Sequence, residues 1–358
     1  MKNYNISIVL TIYNRLDFTI KWLAFAEAQK IPFKIIISDG GNIKGIKKKL
    51  NLKNRIIDIK YYKFKFYRNY KNFHEKFYEV MKYIKTKYVI FAEDDDYINF
   101  KGFIKSADFL NKNKDFSCVK GKSILGEISP NSNFFNYFVI RKENKNFNIL
   151  NILNKDHEDR LINFVKFPQI SLWNGLHRVS NMKIIFKILN RNFYSLHVTE
   201  KIFQFLVVSF GRIKILNCID YIKIDNTKFS SSFNFEKFLP YKTLIKSKKY
   251  YYENYFFIKY LKLRKKNKEF MYYYNKKFEE NKKLCLIDEF KKDKLIYKLI
   301  YYIRLITEKL NIKHILKFII YSLKYKIISK NIFVKENNLF FSKNDQFFLK
   351  KIYDFNTL

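Results

Sequence analysis

Glycine, proline, cysteine and tryptophan are all scarce in this chain, with 8, 4, 3 and 2 of them among 358 residues. Cys118, Cys218 and Cys285 lie far apart with no CxxC spacing. That argues against a zinc site and a disulfide framework, and makes a reducing cytoplasm the simplest compartment. No apolar run approaches the ~18 residues that a spanning helix needs, so any membrane contact is expected to be peripheral. The first residues carry neither a basic n-region nor a small-residue cleavage site, and no signal peptide is expected. Acids are short too, 32 against 71 Lys and Arg, for a formal net charge of +39. Such a charge first suggests an anionic partner: nucleic acid, a lipid surface or a phosphorylated substrate. The basic residues are spread along the chain, however, and come with an abundance of Asn, Ile, Phe and Tyr that an AT-rich genome would impose by itself. Nucleic acid is therefore disfavoured.

What is present is a strongly apolar chain, 48% hydrophobic and 19% aromatic, which excludes disorder. Its length suits one large domain plus a smaller one. Three apolar runs each end in a polar group. Ile6 to Ile12 closes on Tyr13-Asn14-Arg15; Phe33 to Ser38 closes on Asp39-Gly40-Gly41; Tyr88 to Ala92 closes on Glu93-Asp94-Asp95-Asp96. Between them, Leu16 to Gln29 and Asn72 to Lys85 carry apolar residues at helical spacing, and a further strand is expected near Ile56 to Tyr62. Strands alternating with helices predict βαβ units and a mostly parallel sheet, whose ligands bind beyond the carboxyl ends of the strands. Asn14, Asp39 and the four acids converge there. Four adjacent carboxylates repel one another unless a cation or hydrogen-bond donors hold the charge, and hard oxygen ligands suit Mg2+ or Mn2+.

These motifs resemble the GT-A glycosyltransferases, in particular the large inverting family-2 type, over about residues 4 to 225. Thr11-Ile12-Tyr13-Asn14-Arg15 looks like the family's nucleotide loop, with Thr11 where a proline is common. Ile37-Ser38-Asp39-Gly40-Gly41 looks like the aspartate that meets base or ribose, and Glu93 to Asp96 like the DxD region, read as Glu93-x-Asp95 or Asp94-x-Asp96. The resemblance implies an α/β, Rossmann-like, mostly parallel central sheet flanked by helices, with residues 1–228 as the catalytic domain. It implies nucleotide contacts from Thr11, Tyr13, Asn14, Arg15, Asp39, Glu93 and Asp94, and Mn2+ or Mg2+ on Asp95 and Asp96. In such enzymes a carboxylate at the start of a later helix is the base, usually within an acidic pair; here Glu200 stands alone at that place, after Thr199 as expected N-cap.

Two further stretches carry candidates. Asp156-His157-Glu158-Asp159 opens a helix, where Asp159 reads either as a cap or as a catalytic acid. Ile170 to Arg178 reads as a strand in which Trp173 and Asn174 would frame the acceptor, while His177 and Arg178 would meet the diphosphate. Asn131 to Asn154 has no clear period and reads as a variable loop. Beyond about residue 228 glycine disappears, and residues 229–358 read as a basic, aromatic-rich, mainly helical region, with Leu295, Leu299, Ile303, Ile306 and Leu310 at helical spacing. Its densest basic run, Lys262 to Lys268, suits either an anionic membrane face or packing on the catalytic domain.

The expected function is transfer of a sugar from a nucleotide-sugar donor to a surface-glycan or lipid-linked acceptor, in the cytoplasm or at the inner face of its membrane. Two rivals are a sugar-phosphate nucleotidyltransferase, disfavoured because residues 11–16 contain no glycine, and a basic RNA- or membrane-binding protein built on a degenerate transferase domain.

Overall fold

The computed structural model describes residues 4–65, 70–128, 138–141, 151–166, 171–192, 196–224, 255–292, 326–329, 332–334 and 346–352. The first half alternates as the apolar runs predict: β1 (Ile6–Ile12), α1 (Leu16–Ala28), β2 (Lys34–Asp39), the short α2 (Ile46–Lys49), β3 (Ile59–Lys63), α3 (Tyr70–Tyr83) and β4 (Tyr88–Glu93). β1 lies between β2 and β4, with β3 outside β2, and all three pairings are parallel. The period of two then divides the side chains between two cores. Val9, Val89 and Phe91 enter one core, where Phe77, Val80 and Met81 of α3 pack; Ile8, Leu10, Ile90 and Ala92 enter the other, with Trp22 and Leu23 of α1. Strands buried on both faces explain why the runs are continuously apolar rather than alternating.

Beyond the acids come β5 (Tyr97–Ile98), α4 (Phe100–Lys112), β6 (Phe116–Ile128), β7 (Phe138–Arg141), α5 (His157–Lys166), β8 (Leu176–Arg178), α6 (Val179–Asn192), α7 (Leu196–Phe210) and β9 (Arg212–Ile224). The Asn99 side chain caps α4 by accepting from the Lys101 N–H at 3.2 Å. Phe103, Ala107 and Leu110 form its buried stripe. β8 is antiparallel to both β4 and β6, and β9 runs parallel to β6, so the sheet is mixed but mostly parallel near β1. Two expectations change here. Of Ile170 to Arg178 only Leu176–Arg178 is strand, because the chain turns at Trp173 and Asn174. Within Asn131 to Asn154, residues 138–141 form β7, while residues 131–137 and 142–150 lie outside the described residues.

In residues 229–358 the described parts share the same sheet and core. α8 (Asn267–Lys292) buries Phe270, Tyr274 and Phe278, one per helical turn, beside Phe205 of α7. β10 (Lys326–Ser329) and β11 (Ile332–Val334) extend the sheet through β7, and residues 346–352 bring Phe348 to Phe25 of α1. The Leu295 to Leu310 series lies outside the described residues. Among the described residues no helix is long and apolar enough to cross a membrane.

Candidate functional site

The carboxyl ends of β1, β2 and β4 are adjacent because those strands are parallel neighbours, and each delivers its polar group to one edge. Asn14 follows β1 in a left-handed turn with φ 56°, a conformation its short amide tolerates. Its Oδ1 accepts from the Asn42 N–H at 2.6 Å, tying the β1 loop to the β2 loop. Gly41 is required beneath it, since a Cβ there would collide with that same Oδ1. Asp39 is fully buried; it accepts from the Gly41 N–H at 2.7 Å, Tyr61 Oη at 2.5 Å and Lys63 Nζ at 2.8 Å. Thr11 Oγ1 donates to Ala92 O at 3.3 Å, and Tyr13 is buried, so these two build the loop's base.

The four acids divide into two roles. Asp94 turns inward: Arg15 donates to it, and Thr19 Oγ1 donates to its other oxygen at 3.1 Å. Burial pushes its carboxyl up to about 7 against the pull of Arg15, while the two carboxylates hold Arg15 charged well above its ordinary range despite burial. Arg15 also reaches Asp95 at 2.7 Å. Glu93, Asp95 and Asp96 turn the other way, each offering an oxygen within 4.8 Å of the others'. Of these, Asp96 is anchored at both oxygens, by Tyr221 Oη at 2.7 Å and the Ile224 N–H at 2.9 Å. Burial, then the neighbouring Glu93 and Asp95, push Asp96 well up, and burial and Asp95 push up Glu93. The set is all hard oxygen, clustered and mutually repelling, and so fits a divalent cation of the Mg2+ or Mn2+ kind.

Glu200 faces this cluster. α7 begins at Leu196, so Thr199 is a buried helical residue rather than the cap, and Glu200 is beyond the first turn where a helix dipole would reward it. The Glu200 side chain is open to solvent, yet protein surrounds it densely enough that desolvation and the charge of Glu93 push its carboxyl up to about 7, with Lys223 opposing. Lys223 follows Tyr221 by two residues in β9 and therefore shares its face of the strand, and its positive charge opposes the rise of both Glu93 and Glu200.

Other expected residues lie elsewhere. His177 and Arg178 pair with Val89 and Tyr88 at the start of β4, about 16 Å along the strand from Glu93. His177 Nε2 lies 2.8 Å from Leu172 O, and Arg178 donates to Phe116 O, Leu110 O and Asn113 O, so neither is aimed at a diphosphate. Trp173 stacks on Phe91 at 5.0 Å and meets Phe77 and Phe203 edge-on, packing as a core residue under the end of β4. Asn174 Nδ2 reaches Phe91 O at 3.4 Å. Asp159 is paired with Lys266 next to the far end of α7, where Arg160 donates to Val208 O and Ser209 O. It stands about 14 Å of helix from Glu200, and Asp156 is the α5 cap, accepting from the Asp159 N–H at 2.9 Å.

Lys76 escaped the sequence reading. It is fully buried on α3, where desolvation lowers its ammonium to about 7 while Asp39 and Asp94 pull it back up. A lysine between Phe73, Phe77 and Val80 on an apolar helix face was the available signal. Tyr221 and Lys223 carried none, since their roles depend on β5 pairing with β9.

No protein-family model matches the chain. A protein of Amsacta moorei entomopoxvirus, provisionally named a glycylpeptide N-tetradecanoyltransferase, is 25% identical over 283 residues, 76% of this chain and 77% of that one. Among solved structures, S. aureus TarS superposes with a TM-score of 0.43 and 13% identity over 62% of this chain and 36% of its own. TarS 1-349 in complex with UDP gives 0.42 and 15% over 62% and 60%, and in complex with UDP-GlcNAc 0.41 and 15% over 67% and 64%. The chain thus spans about a third of full-length TarS and under two thirds of its 1-349 fragment.

Proposed function

We propose that this chain is a GT-A-type glycosyltransferase that moves a sugar from a nucleotide-sugar donor to a glycan or lipid-linked acceptor with inversion. The observation that carries the reading is the facing of two sets: the oxygens of Glu93, Asp95 and Asp96 within 4.8 Å of one another, and Glu200, with its carboxyl raised to about 7, electrostatically coupled to Glu93. The Asn14 and Asp39 loops would grip the nucleoside beside them. Glu93, Asp95 and Asp96 would hold the Mn2+ or Mg2+, whose positive charge would offset that of the leaving nucleoside diphosphate.

Glu200 takes the proton of the acceptor hydroxyl as that oxygen bonds to the anomeric carbon. The bond from that carbon to the diphosphate oxygen breaks, and its electron pair leaves with the phosphate. A carboxyl near 7 is well matched to this work at neutral pH. Lys223 steadies charge on the same side, and Arg15 keeps Asp94 and Asp95 in place. The acyl transfer named for the viral relative puts no phosphate at its reacting carbon and would leave the carboxylates idle. Contact between the basic C-terminal region and an anionic membrane at the cytoplasmic face belongs to the same proposal, supported by the basic run Lys262 to Lys268.

The test is a thermal-shift screen of nucleotides and nucleotide sugars with and without Mn2+, because a ligand of the folded state raises stability by mass action. A metal-dependent rise with a nucleotide sugar, followed by release of its nucleoside diphosphate, is expected. Binding of RNA with no stabilisation by any nucleotide sugar would overturn the proposal in favour of the degenerate-transferase reading.

A further inference from the structure

A cavity of about 600 Å3 opens where the end of α7 meets the starts of α5 and α8. It belongs to no part of the acid site, since Ser209 on its wall is about 14 Å along α7 from Glu200. Its rim is firmly built. His157 Nε2 lies 2.6 Å from Leu261 O, and Lys262 is held in the left-handed region with φ 53°, which a long side chain adopts only where its surroundings enforce it. Buried Glu158 accepts from the N–H groups of Arg264, of Lys265 at 3.2 Å and of Lys266 at 2.5 Å. Burial alone would raise this carboxyl, but the three donors hold it below its usual range. The backbone donors ahead of α8 are therefore already occupied by an internal carboxylate, and the charge left unmatched is on side chains.

Lys266 is paired with Asp159. Lys262, Arg264 and Lys265 line the cavity, and among the described residues none of the three has an acidic partner. Asp156, also on the wall, is engaged as the α5 cap. Phe210 and Tyr260 supply an apolar side. Three exposed cations carried on a backbone held by Glu158, beside two aromatic rings, match a compact dianion joined to a small carbon skeleton. A guanidinium fork takes two phosphate oxygens, lysines take the third, and the volume is that of a small-molecule site.

We propose that this cavity binds the phosphate ester of a small sugar or polyol, with the phosphate on Lys262, Arg264 and Lys265 and the skeleton against Phe210 and Tyr260. The inference does not rest on the transferase reading. Calorimetric titration of the full chain with glucose 6-phosphate and with inorganic phosphate tests it, alongside flotation with phosphatidylglycerol vesicles. Saturable binding of glucose 6-phosphate, tighter than that of inorganic phosphate, is expected. It should weaken at least tenfold in the Arg264→Ala, Lys265→Ala double variant and in Lys262→Glu, and be unchanged in Asp95→Asn. No saturable binding by the parent chain, or equal binding by the double variant with its melting curve intact, would overturn it. So would loss in Asp95→Asn alone, which would move the ligand to the acid site, or capture by vesicles without binding of either soluble phosphate, which would make the rim a lipid-facing patch.

Discussion

Tyr221→Phe removes one oxygen atom and probes how the acid site is held. Tyr221 Oη is one of two donors to buried Asp96, at 2.7 Å; the Ile224 N–H, at 2.9 Å, is the other. A buried hydrogen bond to a charged acceptor contributes about 1.5–3 kcal/mol, and the phenyl ring refills the ring's own volume, so the loss is electrostatic rather than a cavity. At roughly 2.1 cal/mol/K of unfolding entropy per residue, a chain of 358 residues shifts by about 1.3 °C per kcal/mol, so the melting temperature should fall by about 2–4 °C. The second consequence is at the metal. Asp96 is already raised by burial, Glu93 and Asp95, and loses a donor that opposes the rise, so its carboxyl climbs further and competes less well for a cation as the pH falls. Mn2+ affinity should then drop by about 10–100-fold, as when a residue behind a metal ligand is lost, and recover as the pH is raised. Thermal melts and Mn2+ titration across pH 6 to 9 check both parts. An unchanged melting temperature would refute the anchoring; a lowered one with unchanged Mn2+ affinity at every pH would remove Asp96 from the proposed ligand set.

Asp95→Asn should abolish Mn2+-dependent donor turnover at a stability cost of about 1–3 kcal/mol, since the Asp95 side chain is only 8% exposed and loses its charge beside Arg15, which keeps Asp94 as partner; normal turnover in this variant would refute the site. Glu200→Gln should slow transfer by about 10²–10⁴-fold with donor affinity retained. In the parent enzyme transfer should rise with pH through about 7, and Lys223→Ala should move that rise to higher pH because Lys223 holds the carboxyl down. A pH profile that ignores both substitutions would make Glu200 structural. Buried Asp220, beside Gly121, is pushed by burial from 3.8 up to about 6 in the folded chain. Its folded value lies above its unfolded one, so its contribution is most favourable below about pH 4 and is lost as the pH rises to about 6, by up to roughly 3 kcal/mol. Asp220→Asn should flatten the stability curve over that window in chemical denaturation.

The parallel half of the sheet was written locally: Ile8–Leu10, Ile35–Ile37 and Tyr88–Ala92 are apolar throughout because both faces are buried, and each run is closed by the polar residues that make the site. α1 and α3 were legible from their period. Register and partnership were not, since they depend on what lies across the sheet. Asp94 and Asp95 are neighbours of the same kind in the sequence and both pair with Arg15, yet only Asp94 is also held by Thr19, while Asp95 keeps an oxygen near those of Glu93 and Asp96. Only the arrival of β9 beside β5, some 120 residues later, decides that Asp96 is gripped at both oxygens and that the charge of Lys223 acts on the glutamates. Trp173, His177 and Arg178 looked like ligand groups because their chemistry suits sugars and phosphates. Antiparallel pairing of β8 with β4 carries His177 and Arg178 to the far end of the sheet, while Trp173 packs partly buried against the core on Phe91. Residue types were determined by the sequence itself; which carboxylates face one another, and across what distance, belonged to the tertiary structure, because electrostatic coupling depends on spatial separation and not on position in the chain.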